Sequence, residues 1–163
     1  MRIVNYGIAM TESKQLMLIK ESSTNYPVEQ KLQSPEKIFR LMHDVFNADN
    51  LPEEHLWLIA LAATAKPVGF FEVSHGTVSS SLVDTKAVFS RLLLVGASQF
   101  VLVHNHPSGD PNASQEDIKT TKKIQEAAKI MGYAMCDHII CGSDGYFSFY
   151  EKGMMSEKTN EKD

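Results

Sequence analysis

Residues 101–117 read VLVHNHPSGDPNASQED, and this stretch carries most of the information about the fold. It begins as an apolar run that is typical of a buried β-strand, and two histidines two residues apart follow. A Pro/Gly-rich segment at 107–111 predicts a turn. Ser114 then predicts a helix N-cap, because acidic residues and a helical apolar period follow it. We therefore expect a strand–loop–helix junction lined with polar side chains.

The polar residues of this junction predict a metal site. Side chains two apart on a strand share a face, so His104 and His106 can reach one ion. Asp117 would lie in the first helical turn, where a carboxylate is favoured. Two imidazoles and one carboxylate leave a fourth position for water, as in a catalytic zinc site. The alternative is structural, since Ser114 and Asp117 also match a capping-box variant.

Composition narrows the class of protein. A chain of 163 residues favours one globular domain. Its net charge of -4 does not predict a general phosphate-binding surface. The two cysteines have no CxxC spacing, which indicates a reducing compartment without a disulfide framework. The sequence contains no signal peptide or long apolar span, so we expect a soluble cytoplasmic protein with no membrane contact.

The remaining segments predict a mixed α/β fold in which helices flank a sheet. An N-terminal hairpin and linker (1–33), a main unit (34–153) and a polar tail (154–163) would form one globular domain overall. The polar segment 21–33 is expected to be a loop, and so is the serine run at 79–81. Capping residues predict helices beginning near residues 34, 84 and 114, and apolar runs predict strands at 55–61, 67–74, 98–103, 133–141 and 146–150.

The spacing His104-x-His106-x7-Ser114-x2-Asp117 resembles the JAMM motif of MPN/JAB-domain metalloproteases. The text of residues 104–117, followed by Asp-His at 137–138, closely resembles the C-terminal domain of the bacterial RadC family. The resemblance covers residues 34–153 and implies the MPN/JAB, cytidine-deaminase-like architecture. Ala113 replaces a proline usual in the family, and residues 85–86 replace a frequent Pro-Arg; neither is a ligand position. Full-length RadC proteins carry an upstream helix-hairpin-helix module, for which this chain has no room.

The resemblance also implies a mechanism. A glutamate on an earlier strand completes the family's site, and Glu72 stands at the matching position in GFFEVSHGT. Zn²⁺ held by His104, His106 and Asp117 would activate a water, with Glu72 as general base and Ser114 bonding the water or the oxyanion. The substrate would be an unidentified peptide or protein, cleaved at a peptide, isopeptide or other amide bond. Alternatively, Glu72 lies on a solvated face or pairs with a lysine.

Two other function classes stay open. The first is a DNA repair-associated factor or nuclease, which the family name suggests but the charge does not support. The letters His-Asn-His at 104–106 are consecutive, whereas HNH nucleases spread them over a ββα unit. The second is a non-catalytic MPN scaffold, a class that commonly lacks the ligands. We expect His138 to support the site or the core; a further ligand or a proton shuttle is the alternative. The sequence does not indicate the oligomeric state.

Overall fold

The computed structural model describes residues 1–27, 32–76 and 83–155. Within these residues, seven strands form one mixed sheet and three α-helices cover its two faces, which confirms the predicted fold class. A short 3-10 helix, Ala48–Asn50, follows the first α-helix. The main elements in chain order are β1 (Arg2–Met10), β2 (Leu16–Asn25), α1 (Pro35–Phe46), β3 (Glu54–Leu61), β4 (Pro67–Gly76), α2 (Thr85–Val95), β5 (Gln99–Asn105), α3 (Gln115–Met131), β6 (Ala134–Gly142) and β7 (Gly145–Ser148).

The strand order across the sheet is β2-β1-β4-β3-β5-β6-β7. Strands β5 and β6 pair in parallel through α3, and a short parallel contact joins β1 to β4. The other neighbouring pairs are antiparallel. The N-terminal hairpin is therefore part of the same sheet as the rest of the chain. Strands β3 and β5 lie at its centre, where they are covered on both faces.

Two apolar clusters form the core, one on each face of the sheet. On one face, α1 packs residues such as Leu41 and Met42 against the sheet. On the other face, α2 and α3 contribute residues such as Leu92 and Ile124. Central strand residues alternate between the clusters, as a strand buried on both faces requires. None of the helices in the described part of the chain combines the length and apolar character that a membrane crossing requires.

The helix boundaries follow their capping residues. Ser34, Asp84 and Ser114 accept hydrogen bonds from backbone N–H groups at the starts of α1, α2 and α3. Gly96 and Gly132 end α2 and α3 in the left-handed conformation that favours glycine. The three N-caps confirm the predicted helix starts.

Several predicted strand boundaries differ from the structure, and two predictions lie outside the described residues. Strands β4 and β5 each continue two residues past their predicted ends at 74 and 103. Residues 21–25 continue β2, although they were expected to form a loop; pairing with β1 overrides their weak strand propensity. The last strand ends at Ser148 instead of residue 150. The serine run at 79–81 falls outside the described residues, as does most of the predicted tail, residues 156–163.

A buried carboxylate ties β6 to the end of β7. Asp137 accepts hydrogen bonds from the His138 N–H (2.7 Å), the Tyr150 N–H (2.9 Å) and the Ser148 hydroxyl (2.5 Å). Burial raises the pKa of Asp137 to about 6, even though these hydrogen bonds act in the opposite direction. The charged form is therefore held at a cost in the folded state.

We predict a pH-dependent difference in stability between the wild-type chain and Asp137→Asn. Between the unfolded pKa of about 4 and the folded pKa of about 6, the folded state holds a proton that the unfolded state has released. The wild type should therefore lose about 2–3 kcal/mol relative to Asp137→Asn as the pH rises from 4 to 7. Urea unfolding across this range measures the difference. A constant difference would contradict the raised pKa.

Candidate metal centre

Strand β5 presents the first histidine, and the chain just beyond the strand presents the second. The side chain of His104 is 4% exposed and that of His106 is 18% exposed. Their Nε2 atoms lie 3.0 Å apart. The His106 N–H donates to the Cys141 carbonyl (3.0 Å), and its Nδ1 lies 2.8 Å from the Asp110 carbonyl oxygen. Both imidazoles therefore direct the same ring nitrogen to one point, as the His-x-His spacing predicted.

The loop that follows His106 packs closely on the turn between β6 and β7. A Cβ atom at position 142 would lie 2.3 Å from the carbonyl oxygen of Gly109, so this approach requires Gly142. The Gly109 carbonyl also accepts the Ser143 N–H (3.0 Å). These contacts hold the loop whose Asp110 carbonyl orients the His106 ring.

The start of α3 brings a carboxylate to the histidine pair. Asp117 Oδ1 lies 3.2 Å from His104 Nε2, and Asp117 Oδ2 lies 3.4 Å from His106 Nε2. Ser114 forms a full capping box with Asp117: its Oγ accepts the Asp117 N–H, and its own N–H donates to Asp117 Oδ2 (2.7 Å). The Ser114 hydroxyl also donates to that oxygen (2.6 Å). The capping interpretation and the close approach to the histidines therefore hold together.

A glutamate that the sequence reasoning missed joins this group. Glu54 is the first residue of β3. One carboxylate oxygen of Glu54 and one ring nitrogen each of His104 and His106 lie within 4.8 Å of one another. Residue 54 lies on the same face as Leu56, which pairs directly with His104 in the β3–β5 ladder. The alternation of residues 54, 56, 58 and 60 along one face could have indicated it.

Asn105 fixes the backbone on both sides of Glu54 through its side-chain amide. Its side chain is buried, and its Oδ1 accepts the His55 N–H (2.7 Å) while its Nδ2 donates to the Glu53 carbonyl (2.9 Å). Regular β3–β5 pairing ends at Leu56. The amide of Asn105 therefore replaces ladder hydrogen bonds on both flanks of Glu54.

The structure does not bring Glu72 to this group, which corrects the expected site. Glu72 pairs with Trp57, and Trp57 pairs with Val103 on β5. Directly paired residues share a face, so Glu72 points to the α1 side of the sheet, opposite His104. Its Oε1 lies 2.8 Å from His75 Nδ1 and 3.4 Å from His55 Nδ1, and its side chain is 41% exposed.

His138 stands behind the pair. Its Nε2 lies 2.8 Å from His104 Nδ1, and its ring stacks on Phe149 with centroids 5.2 Å apart. Burial lowers the pKa of His138 well below its ordinary value, and the neighbouring His104 adds to the effect. It therefore contacts a histidine of the cluster, as expected, and is buried between the sheet and α3.

The two carboxylates of the group are shifted in opposite directions. Burial raises the pKa of Glu54, although the two histidines oppose the shift. Burial would also raise the pKa of Asp117, but its contacts with the His104 and His106 rings and its hydrogen bonds from Ser114 outweigh burial and lower that pKa. The nearby Asp117 carboxylate raises the pKa of His106, because it stabilises the charged imidazole.

The donor set fits a metal ion that takes nitrogen and oxygen ligands. Two Nε2 atoms and a carboxylate lie within 3.4 Å of one another, and a second carboxylate lies close by. Such a set suits a divalent transition ion with a position left for water. A cavity of about 320 Å³ opens onto the group, with Leu56 and Val83 among its apolar walls. The candidate ligand side chains therefore line a cavity.

Comparison with known proteins agrees with this geometry. The family model described as the RadC-like JAB domain matches residues 32–154. The chain belongs to this family. It is 36% identical over 122 residues to the UPF0758 protein of Pelobacter propionicus, covering 75% of this chain and 52% of the relative. The UPF0758 protein of Porphyromonas gingivalis is 36% identical over 107 residues (65% and 47%), and that of Alkaliphilus metalliredigens is 32% identical over 154 residues (91% and 66%).

The matched RadC-like region contains the whole metal-ligand candidate group, from Glu54 to Asp117. The chain spans about half the length of the first two relatives named here. A RadC-like JAB domain with this donor set is compatible with a metal-dependent hydrolase.

We predict that Asn105→Ala destabilises the fold by about 1–3 kcal/mol, because it leaves the Glu53 carbonyl and the His55 N–H without their partner. Asn105→Asp is the matched control. It keeps the acceptor for the His55 N–H but loses the donor to the Glu53 carbonyl. Comparing its free energy of unfolding with those of the wild type and Asn105→Ala therefore separates the two hydrogen bonds. Urea unfolding gives the free energies. A loss of stability below about 0.5 kcal/mol for Asn105→Ala would show that the two hydrogen bonds of Asn105 are not needed for the fold.

Proposed function

We propose that this RadC-like JAB domain is a zinc-dependent hydrolase that cleaves an amide bond, in a peptide or isopeptide substrate. One observation carries the proposal: Glu54, His104, His106 and Asp117 lie close together and line one cavity. A carboxylate beside a His₂–carboxylate set is the combination that hydrolytic zinc sites use.

His104, His106 and Asp117 would hold the ion. Their ring nitrogens and carboxylate already face one another at 3.0–3.4 Å. A zinc ion there would polarise the substrate carbonyl and lower the pKa of a water molecule. The capping box keeps Asp117 aimed at the histidines, so we assign Ser114 the task of orienting Asp117. Its predicted bond to the oxyanion stays a prediction.

Glu54, in place of Glu72, would be the general base. Its raised pKa suits a group that must both take and return a proton. It would accept the proton of the attacking water as the carbon–oxygen bond forms. It would then deliver that proton to the leaving nitrogen as the carbon–nitrogen bond breaks. The water is consumed, and the products are a carboxylic acid and an amine.

The first experiment measures metal content. Protein purified without chelator should contain about one zinc ion per chain, and Asp117→Asn should contain much less because it loses an anionic ligand. Glu54→Gln should keep the metal, since we place Glu54 outside the ligand set. Full retention of zinc by Asp117→Asn, or its loss in Glu54→Gln, would contradict this assignment of roles.

The second experiment is a screen of peptide and isopeptide substrates with and without chelator. On any substrate found, Glu54→Gln should lower kcat by about 10²–10⁴-fold, because it removes the general base. Glu72→Gln is the matched control and should leave kcat near the wild-type value, because Glu72 lies on the opposite face. Metal-dependent cleavage of DNA in place of amide substrates would overturn the proposal.

A further inference from the structure

A continuous line of hydrogen bonds runs through the interior behind the candidate metal ligands. His104 Nδ1 lies 2.8 Å from His138 Nε2, and His138 Nδ1 lies 2.7 Å from Thr121 Oγ1. The Thr121 hydroxyl donates to the Asp117 carbonyl (2.6 Å). His138 and Thr121 are each 1% exposed. The line therefore connects one candidate ligand to the helical turn that carries another.

The last bond of this line fixes where the protons lie. A carbonyl oxygen can only accept, so the single hydroxyl proton of Thr121 points at Asp117. A lone pair of Thr121 then faces His138, and His138 must donate to it from Nδ1.

The same reasoning extends to the metal-facing histidine. A neutral imidazole carries one N–H, so His138 Nε2 accepts a hydrogen bond and His104 donates it from Nδ1. The Nε2 of His104 is then an unprotonated lone pair directed at the cluster. His106 reaches the same tautomer independently, because its Nδ1 donates to the Asp110 carbonyl.

We propose that His138, supported by Thr121, is a positioning residue that fixes His104 in the Nδ1–H tautomer and so keeps its Nε2 free to bind a cation. Without this acceptor, the His104 proton would gain by moving to Nε2, where it would occupy the position that a metal needs. This inference rests on the proposed metal-dependent function for its purpose, while the hydrogen-bond geometry stands by itself.

The tautomer can be measured on the full chain without metal or substrate. With ¹⁵N-labelled histidine at pH 8, two-bond ¹H–¹⁵N correlation spectra should show His104 protonated at Nδ1 and unprotonated at Nε2. In His138→Leu, the His104 signals should shift toward the Nε2–H form. A wild-type His104 protonated at Nε2 would overturn the proposal.

Metal affinity gives the second measurement. His138→Leu should weaken Zn²⁺ binding about 10–100-fold, as loss of a partner behind a ligating histidine typically does. His138→Gln should restore most of it, because the glutamine carbonyl can accept from His104 and its amide can donate to Thr121. Competition with a chromophoric chelator gives the affinities, and cobalt substitution reports the ligand geometry by its visible spectrum.

Ile139→Ala is the matched control. Ile139 neighbours His138 but lies in the core cluster on the other face of the sheet, so it should cost stability without changing Zn²⁺ affinity. Equal losses of affinity in Ile139→Ala and His138→Leu, or failure of His138→Gln to restore binding, would overturn the inference. If His138→Leu does not fold, Thr121→Val replaces it, with a smaller loss in the same direction expected.

The two proposals fail separately. If the wild-type chain binds no zinc, the proposed hydrolase is wrong, yet the tautomer spectra still decide whether His138 sets the proton of His104. If zinc binds and the hydrolase is active while His104 carries its proton on Nε2 in the metal-free chain, the positioning role alone is wrong.

Discussion

The alternation of side chains along β3 and β5 is the constraint on which the site depends. Pairing of Leu56 with His104 puts both on the face covered by α2 and α3, together with Glu54. A slip of β3 by one residue against β5 would send Glu54 and Leu56 to the face opposite His104. The register is held by buried residues packed on both sides of the central strands. The apolar core therefore sets the positions of the polar groups.

The metal-ligand candidates lie where regular pairing stops. Beyond Leu56 and His104 the ladder ends, and backbone groups there need other partners. The side chain of Asn105 supplies them around Glu54, and the Cys141 carbonyl supplies one for His106. The polar residues of this region thus satisfy the backbone and shape the site at the same time. Asn105, between the two histidines, therefore makes contacts as specific as theirs, although it bonds the backbone of β3.

Much of the fold could be predicted because its signals are local. Helix caps such as Ser34 and Ser114 act within one turn, and His-x-His depends only on the strand period. The glutamate depends on long-range register. The predicted strand begins at residue 55, whereas β3 begins at Glu54, so this glutamate lies just outside the prediction. Register shifts within the β3–β4 ladder also make the facing of Glu72 unreadable from the sequence. Strand β2 is longer than predicted for a related reason, since its polar second half is held by pairing with β1.

The opposite pKa shifts of Glu54 and Asp117 support the separate roles that we propose for them. Asp117 contacts both imidazoles and accepts hydrogen bonds from two donors of Ser114, so its pKa falls and it stays an anion, as the proposed ligand role requires. Glu54 is partly buried and lies near that negative charge, so its pKa rises and a proton on it costs less. Two neighbouring acids driven apart in this way commonly divide into a permanent anion and a proton carrier. Glu72, shared between His55 and His75 on a more exposed surface, has neither the neighbours nor the position for either task.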